Sequence, residues 1–387
     1  MQPHQNPATR PMYVYLLVLT FAQASALLGW TALYTNFAVE VAGLTGEQNG
    51  IVHAVREVPG LFSVAVLLLF YVMSEIAVTS VSIIICGLGV VATGFFPSFE
   101  GILLCTFILS TGFHFFEATN QSLTLQYFSL SEAPVVIGRL RAATAAGSFL
   151  MGLAILLLAG AFEFRWLFIL AGSVSVAAGI WAVFQKPGVQ GLPPQRKGMV
   201  LKAKYWLFYL LTGLSGARRV IVSVFAVFLM VEHFGLSLRE MSLLLLGGHL
   251  INWIVNPYIG RIINAYGEKR LLLIKYLCII GLCLGYVFCP HAWMAAALYI
   301  CDQLLFCFTI SIRTFFQKIA DTEDIAPSMA VGVTVNHIAA VAVPVAGGML
   351  WMLDYRIPFA MGAVFGLLSL LSALFIPAHP GDGVKER

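Results

Sequence analysis

Ionisable residues lie deep within long apolar stretches of this sequence, where each one is costly to bury. In the first half of the chain, His53, Arg56 and Glu57 lie within one helical turn, and so do His114 and Glu117. Residues three or four positions apart share one side of a helix. A carboxylate beside an imidazole or a guanidinium can exchange protons as its surroundings change, because burial raises the pKa of a carboxyl and a nearby cation lowers it. The pattern predicts proton transfer within an apolar environment.

A second set of polar residues lies in the other half of the chain. Arg218 and Arg219 are adjacent near the middle of an apolar stretch, and a guanidinium makes charge-assisted, often bidentate, bonds to a carboxylate or phosphate. Glu117 and Asp302 are the preferred candidates for proton coupling, with Glu57 next. The candidates for substrate binding are Arg218, Arg219, Arg56, His249, Asn252, Gln303, Asn336, His337, Gln23 and Trp30. We expect one of the adjacent arginines to bind substrate and the other to pair with an acid such as Asp302.

Other interpretations of these charges remain open. The three deep cations balance the three deep acids, so they could form permanent or gated salt bridges. Buried pairs are expensive ways to gain stability, which weakens that explanation for the set as a whole. His114 with Glu117, and His53 with Glu57, have spacings that could hold a divalent metal. We predict neither a resident metal nor a cofactor.

Composition identifies the environment of these residues as a lipid bilayer. The chain has 387 residues, of which 60% are hydrophobic and 10% charged, whereas soluble domains carry about 25% charged residues. A transmembrane helix needs about 20 mostly apolar residues, and helices satisfy their own backbone hydrogen bonds in lipid. The seven cysteines form no CxxC pair and read as small buried residues, and no basic face for nucleic acid is present. The fold class predicted is an all-α polytopic membrane protein.

Twelve apolar runs of helical length predict twelve transmembrane helices in two six-helix halves. A polar, basic and proline-bearing stretch at residues 186–204 separates the halves, so the predicted domains are 1–185 and 205–387, with 186–204 as linker. The predicted spans are 12–39, 47–72, 75–96, 99–128, 139–161, 164–185, 205–231, 239–263, 270–289, 292–318, 328–351 and 356–377.

The distribution of Lys and Arg predicts orientation, because cytoplasmic loops carry the excess of these residues. The linker holds Lys186, Arg196, Lys197, Lys202 and Lys204, and both termini are also basic. We therefore expect both termini and the linker to be cytoplasmic, in a chain of the bacterial inner membrane.

A local motif accompanies this architecture. Gly260, Gly267 and the basic pair Lys269 and Arg270 fall in the loop between the eighth and ninth predicted spans. They resemble the signature loop of the major facilitator superfamily, which reads roughly Gly-x-x-x-Asp-Arg-x-Gly-Arg-Arg, although its Asp-Arg core is absent. In the first half the corresponding stretch, residues 71–75, retains almost none of the motif. The resemblance implies two six-helix halves, a substrate path lined by helices 1, 2, 4, 5, 7, 8, 10 and 11, and a gating role for the loop.

The function predicted is secondary active transport of a small polar or anionic metabolite by alternating access, coupled to protons, by a monomer. Alternatives are a proton-driven exporter of amphipathic drugs or lipids, which the 29 phenylalanines suit, and a divalent-metal exporter. A membrane-embedded enzyme or assembly factor is a further alternative, but no catalytic constellation or phosphate-binding loop is readable. We therefore predict no enzymatic activity.

Overall fold

The structure is a computed structural model that describes residues 9–158, 160–187, 193–236 and 238–377. Residues 188–192 of the predicted linker and the basic C-terminal residues Lys385 and Arg387 lie outside these ranges. Within the described residues the secondary structure is helical, and no strand occurs.

Fourteen α-helices make up the described part of the chain. The first seven are α1 (Arg10–Asn36), α2 (Gly46–Leu61), α3 (Val66–Leu69), α4 (Glu75–Thr93), α5 (Phe99–Tyr127), α6 (Ala133–Leu158) and α7 (Phe164–Val183). The others are α8 (Trp206–Val220), α9 (Leu238–Tyr266), α10 (Glu268–Val287), α11 (Ala292–Cys307), α12 (Ile310–Ile319), α13 (Ile325–Trp351) and α14 (Arg356–Leu374). π-Helical turns extend α1 through Phe37–Val41 and α8 through Ile221–Ala226 and Leu229–His233.

Each predicted span coincides with one helix, except that the second covers α2 and α3 and the tenth covers α11 and α12. Ten of the described segments are long and apolar enough to cross a membrane, or eleven if the bent pair Ile51–Leu61 and Ser63–Leu69 is one span. α9 coincides with the predicted eighth span and, with 29 residues, is about 43 Å long. Polar residues on α9 lower its hydropathy below that of the ten candidate membrane spans. The helical membrane fold is confirmed, and the count of twelve crossings stays a prediction.

The bend in the second span has a local cause. Pro59 lies inside α2, where it has no amide hydrogen to donate, and the helix ends at Leu61. The two parts of the span meet at 47°. Ser63 Oγ donates to the carbonyl oxygens of Gly60 (2.9 Å) and Pro59 (3.4 Å), which satisfies acceptors at the break.

The described chain divides into two compact units. The first unit comprises Met1–Glu132, Arg139–Met199 and Thr322–Thr334, and the second comprises Ala133–Gly138, Val200–Asp321 and Val335–Arg387. These boundaries differ from the predicted halves at the start of α6 and at the start of α13, and the six-plus-six division stays a prediction.

Small residues bring the helices of each unit close together. In the first unit, a Cβ added at Gly87 of α4 would lie 2.7 Å from the carbonyl oxygen of Gly172 on α7. In the second unit, a Cβ at Gly216 of α8 would lie 2.7 Å from the carbonyl oxygen of Asn336 on α13. Helices in lipid associate through such close approaches, because lipid tails remove the hydrophobic drive between them.

Candidate functional site

In the first unit, α2 carries a half-exposed ion pair. Arg56 donates from Nη2 (3.0 Å) and Nε (3.3 Å) to Glu57 Oε1, and the two side chains are 30% and 28% exposed. Ser110 of α5 donates its hydroxyl hydrogen to the carbonyl oxygen of Arg56. His53, one turn before, packs edge-on against Tyr34 of α1, with ring centroids 5.4 Å apart. The charges are held at a partly exposed surface of the unit.

The stripe predicted on α5 makes the contacts that its spacing suggests. His114 Nδ1 lies 3.7 Å from Glu117 Oε2, and Gln121 Nε2 donates to Glu117 Oε1 at 3.2 Å. The imidazole is buried, whereas the side chain of Glu117 is 32% exposed. A carboxylate oxygen of Glu57 lies within 4.8 Å of a ring nitrogen of His114. The first unit therefore brings two of the three candidate acids, on two helices, to one imidazole.

Two candidate substrate residues of α1 are buried inside the first unit. Trp30 is fully buried in an apolar cluster and stacks on Tyr34 at 4.5 Å. Gln23 is also buried. Burial inside the unit favours packing roles for both residues over substrate contact.

In the second unit, the adjacent arginines of α8 have different partners. Arg218 forms an ion pair with Asp302 of α11, and the two side chains are only 3% and 6% exposed. Tyr276 and Cys283 of α10 lie close enough to the pair to interact with the charge of Arg218. Asp302, proposed from sequence as a proton-linked acid, is therefore enclosed with its own counterion.

Arg219 points elsewhere. Its Nη2 donates to Asn336 Oδ1 of α13 at 3.1 Å, and Asn336 Nδ2 donates to the carbonyl oxygen of Thr212 at 3.3 Å. No carboxylate pairs with Arg219 among the residues that the structure describes. The guanidinium is half-buried near the middle of the seventh span, with one amide oxygen as its hydrogen-bond acceptor there.

Amide side chains of α9 and α11 form a second polar group in this unit. Asn252 Nδ2 donates to Gln303 Oε1 at 3.4 Å, and the thiol of Cys307 donates to Asn252 Oδ1 at 3.3 Å. Asn252 and Gln303 are half-buried. Of the candidate histidines, His249 of α9 is half-buried and His337 of α13 is buried.

Each residue that matches the signature loop has a defined structural role. Gly260 packs so closely on the carbonyl of Pro134 that it has no room for a side chain. Gly267 precedes α10 with φ of 76°, a left-handed conformation that favours glycine. Lys269 Nζ donates to the last helical carbonyl of α14, Leu374 O, at 3.0 Å, and Arg270 lies over the ring of Tyr266. The gating role stays a prediction.

Sequence reasoning missed a buried lysine in the ninth span. The ninth span is not among the helices that the resemblance places along the substrate path, yet its residue Lys275, on α10, is only 2% exposed. Its Nζ donates to Thr309 Oγ1 at 3.0 Å. Lys275 lies in the first turns of the predicted span, where a lysine usually extends to the membrane surface. In the sequence, the only indication of a partner for this lysine is a polar residue within the tenth predicted span, Thr309, which lies between α11 and α12 in the structure.

The second part of the predicted linker is docked within the first unit. Gln195 accepts a hydrogen bond from the Ala326 amide at 2.9 Å and donates to the carbonyl of Thr322 at 2.8 Å. Arg196 Nε lies 3.2 Å from Glu323 Oε2 and 3.1 Å from Asp324 Oδ1. These contacts hold the segment just before α13.

Comparisons with known proteins agree with this architecture. Residues 19–344 match the family model of the Major Facilitator Superfamily, and no curated protein matches the sequence. Among solved structures, the chain is similar to the transporter FucP in its outward conformation, with a TM-score of 0.77 and 13% identity over 95% of this chain and 99% of FucP. A variant of the E. coli fucose:proton symporter FucP gives the same values.

A bacterial homologue of the iron transporter ferroportin, in an outward-facing state, has a TM-score of 0.74 and 13% identity, over 94% of this chain and 98% of that one. At this identity the structural likenesses show the fold alone. The family match covers most of the sequence, and the helical membrane fold agrees with it. This chain belongs to the Major Facilitator Superfamily.

Proposed function

We propose that this protein is a secondary active transporter that moves a small anionic metabolite across the membrane by alternating access, in a proton-coupled cycle. One observation carries the proposal: Arg219 is half-buried at mid-span and pairs with no carboxylate in the described part of the chain. An uncompensated guanidinium at this depth is costly, so such residues usually serve a ligand or an ion path. A carboxylate or phosphate would supply the missing charge.

Proton coupling is assigned to Glu117 and Glu57 of the first unit. Both side chains are about a third exposed and lie near the His114 imidazole, so protons can reach them from water. We favour Glu117 and Glu57 over Asp302, which is buried in an ion pair with Arg218. FucP, one of the solved structures of similar fold, is named as a fucose:proton symporter, which supports coupling to protons.

The test uses purified protein, first in thermal-shift screening against organic acids, sugar phosphates, drugs and divalent metals, and then in proteoliposomes with an imposed pH gradient. Organic anions should raise the unfolding temperature and be accumulated. Arg219→Gln should lower the affinity for the anion roughly ten-fold or more, because it removes a charge-assisted contact worth about 1.5–3 kcal/mol. The thermal shift and the accumulation should both decrease with it. Arg219→Lys should recover little, since a lysine lacks the planar fork.

Arg261→Gln is the matched control, because Arg261 is an exposed arginine of the same unit and should be replaceable without loss. If Arg219→Gln transports anions at the wild-type rate with unchanged stability, the anionic assignment fails and export of amphipathic drugs becomes the better proposal.

Divalent-metal transport is the second candidate, because Glu57, His114 and Glu117 place two carboxylates and an imidazole together in the first unit. Imidazole and carboxylate groups suit first-row divalent metals. One solved structure of similar fold is that of a bacterial homologue of the iron transporter ferroportin. Saturable, Glu117-dependent binding of Mn²⁺ or Co²⁺, with no response to organic anions, would favour this function over the first.

We further propose that the chain acts as a monomer in the bacterial inner membrane, without enzymatic activity, and that both termini and residues 186–204 are cytoplasmic. The basic residues of the linker support this orientation. Reporter fusions at Gly191 and at the C-terminus should both report the cytoplasm, and a periplasmic signal from either would reverse the assignment.

A further inference from the structure

The buried ion pair of the second unit sets two neighbouring residues at one level. Arg218 of α8 and Asp302 of α11 face each other directly. The next residue on each helix, Arg219 and Gln303, is offset by only about 1.5 Å along the axis and about 100° around it. Both are half-buried, whereas the pair itself is buried. Arg219 and Gln303 therefore lie at nearly the same depth in the membrane as the buried Arg218–Asp302 pair.

The directions of the two helices place these residues on the same side. In the predicted twelve-span topology consecutive spans run in opposite directions, so the seventh and tenth spans, which contain α8 and α11, are antiparallel. Two antiparallel right-handed helices that face each other turn their next residues toward the same flank. Arg219 and Gln303 are thus directed to one surface of the second unit, with the Arg218–Asp302 pair behind it.

Each of these two residues is hydrogen-bonded to a further carboxamide. Asn336 accepts from Arg219 at 3.1 Å, and Gln303 accepts from Asn252 at 3.4 Å. A carboxamide offers both a donor NH₂ and an acceptor oxygen, which is the pairing that a hydroxyl group needs. The set carries a single net positive charge, because the charges of Arg218 and Asp302 cancel.

This composition selects among anions. A phosphate dianion or a dicarboxylate would leave one negative charge without a cation here, and a purely apolar acid would bury the N–H groups and lone pairs of Gln303 and Asn252 that their mutual hydrogen bond leaves unused. Unmade hydrogen bonds to desolvated amides cost binding energy, whereas hydroxyl groups would satisfy them. We propose that the substrate is a hydroxylated monocarboxylate, with its carboxylate on Arg219 and its hydroxyl groups on Gln303 and Asn252. This inference rests on the proposed function and specifies its substrate class.

The experiment compares matched compounds of three, four and six carbons by thermal shift and calorimetry on the purified full-length protein. Each set has a hydroxy acid, the acid without hydroxyl groups, and the neutral polyol: glycerate, propionate and glycerol; threonate, butyrate and threitol; gluconate, hexanoate and sorbitol. In at least one set the hydroxy acid should bind about ten-fold or more tighter than the unsubstituted acid, since each net hydrogen bond is worth roughly 0.5–1.5 kcal/mol. The polyol should bind weakest.

Variants identify the residues responsible. Gln303→Leu and Asn252→Leu should each weaken the hydroxy acid roughly three- to ten-fold while leaving the unsubstituted acid unchanged, by the same energy per hydrogen bond. Arg219→Gln should weaken both acids. Asn36→Leu, an exposed amide of the first unit, is the control and should change neither. The unfolding temperature of each ligand-free variant establishes that it is folded.

The outcomes separate this inference from the proposed function. If acids bind through Arg219 but hydroxyl groups give no gain in any set, the substrate class is wrong and anion transport stands. If polyols bind as tightly as hydroxy acids, the site recognises neutral compounds and the inference is overturned. If no acid of any kind binds, the proposed function itself fails.

Discussion

The two units hold their deep charges in opposite ways. In the first unit, Glu57 and Glu117 are about a third exposed, and each contacts a partner on its own helix. In the second unit, Arg218 and Asp302 join two helices and are almost completely buried. A partly hydrated carboxylate can change its protonation state at small cost, whereas a buried pair loses several kcal/mol if one member is neutralised. Similar residue types are therefore partly exposed in one unit and enclosed in the other.

The contrast also separates adjacent residues of a single helix. Arg218 is fixed by Asp302, whereas Arg219 donates a hydrogen bond to the amide oxygen of Asn336. The rigid pair supports the arginine that remains available, because both lie on α8 and the pair fixes that helix against α11. Four substitutions test whether this division between fixed and exchangeable charges is correct.

The largest effect should follow from breaking the buried pair. Asp302→Asn leaves the guanidinium of Arg218 buried without a counterion, which costs about 3–5 kcal/mol. The variant should unfold at a clearly lower temperature in detergent, and the double variant Arg218→Gln with Asp302→Asn should recover most of the loss. Asp354→Asn, at an exposed acid, is the control. Wild-type stability of Asp302→Asn would show that the pair is not structural.

The next effect concerns transport in the first unit. Glu117→Gln keeps the size and the hydrogen-bonding capacity of the side chain but cannot carry a proton. Proton-driven accumulation should be lost, while exchange of substrate across the membrane and thermal stability should remain near wild type. Glu40→Gln, an exposed acid of the same unit, should behave as wild type. Glu57 becomes the preferred coupling residue if accumulation survives at Glu117→Gln and disappears at Glu57→Gln.

A moderate effect is expected from the helix contact that positions Arg219. In Gly216→Ala the added Cβ would lie 2.7 Å from the carbonyl oxygen of Asn336, so α8 and α13 must separate. Overpacking of this kind typically costs about 1–3 kcal/mol. Substrate affinity should fall together with the unfolding temperature, because Asn336 holds Arg219.

Gly281→Ala is the matched control, since nothing lies within 4 Å of a Cβ added at this position of α10. Alanine is favoured over glycine in a helix by up to about 1 kcal/mol, so this variant should be as stable as wild type or more so. Equal behaviour of the two glycine variants would argue against the close contact at Gly216.

The smallest effect should arise outside the membrane. Lys202 and Lys204 lie 2.9 Å and 2.6 Å from Asp321 Oδ2, and they hold the pKa of this carboxyl well below its usual range. A lowered folded-state pKa contributes stability that is present above the unfolded value of about 3.9 and is lost as pH falls below it. All three side chains are substantially exposed, so Asp321→Asn should cost less than ~1 kcal/mol at neutral pH.

Salt distinguishes this surface cluster from the buried pair. The cost of Asp321→Asn, measured by thermal unfolding, should shrink further at 1 M salt, where the Debye length is about 3 Å. The cost of Asp302→Asn should not change with salt. Equal salt dependence at both sites would remove the distinction between exposed and enclosed charges.

Local patterns account for the part of the molecule that could be predicted. A long apolar run in a membrane protein has one stable backbone conformation, so the predicted spans coincide with helices from α1 to α14. The contacts among His114, Glu117 and Gln121 also follow from spacing on one helix, since residues three and four apart are neighbours. Such features depend on the order of residues along a single segment.

Contacts between helices could not be derived in this way. Nothing in the sequence distinguishes Arg218 from Arg219, because the two are the same residue type at the same depth, and which of them meets Asp302 depends on how α8 is rotated against α11. The burial of Lys275 likewise depends on Thr309, at a break in a different span.

The sequence by itself determined that lipid surrounds this protein, which segments are helical, and which ionisable residues lie within the membrane spans. Only the tertiary structure decided that Asp302 is enclosed with a counterion while Glu57 and Glu117 remain about a third exposed. The physical reason is that hydropathy and helical periodicity are properties of one segment. The environment of a charge is instead set by the rotation and approach of helices that are distant in sequence.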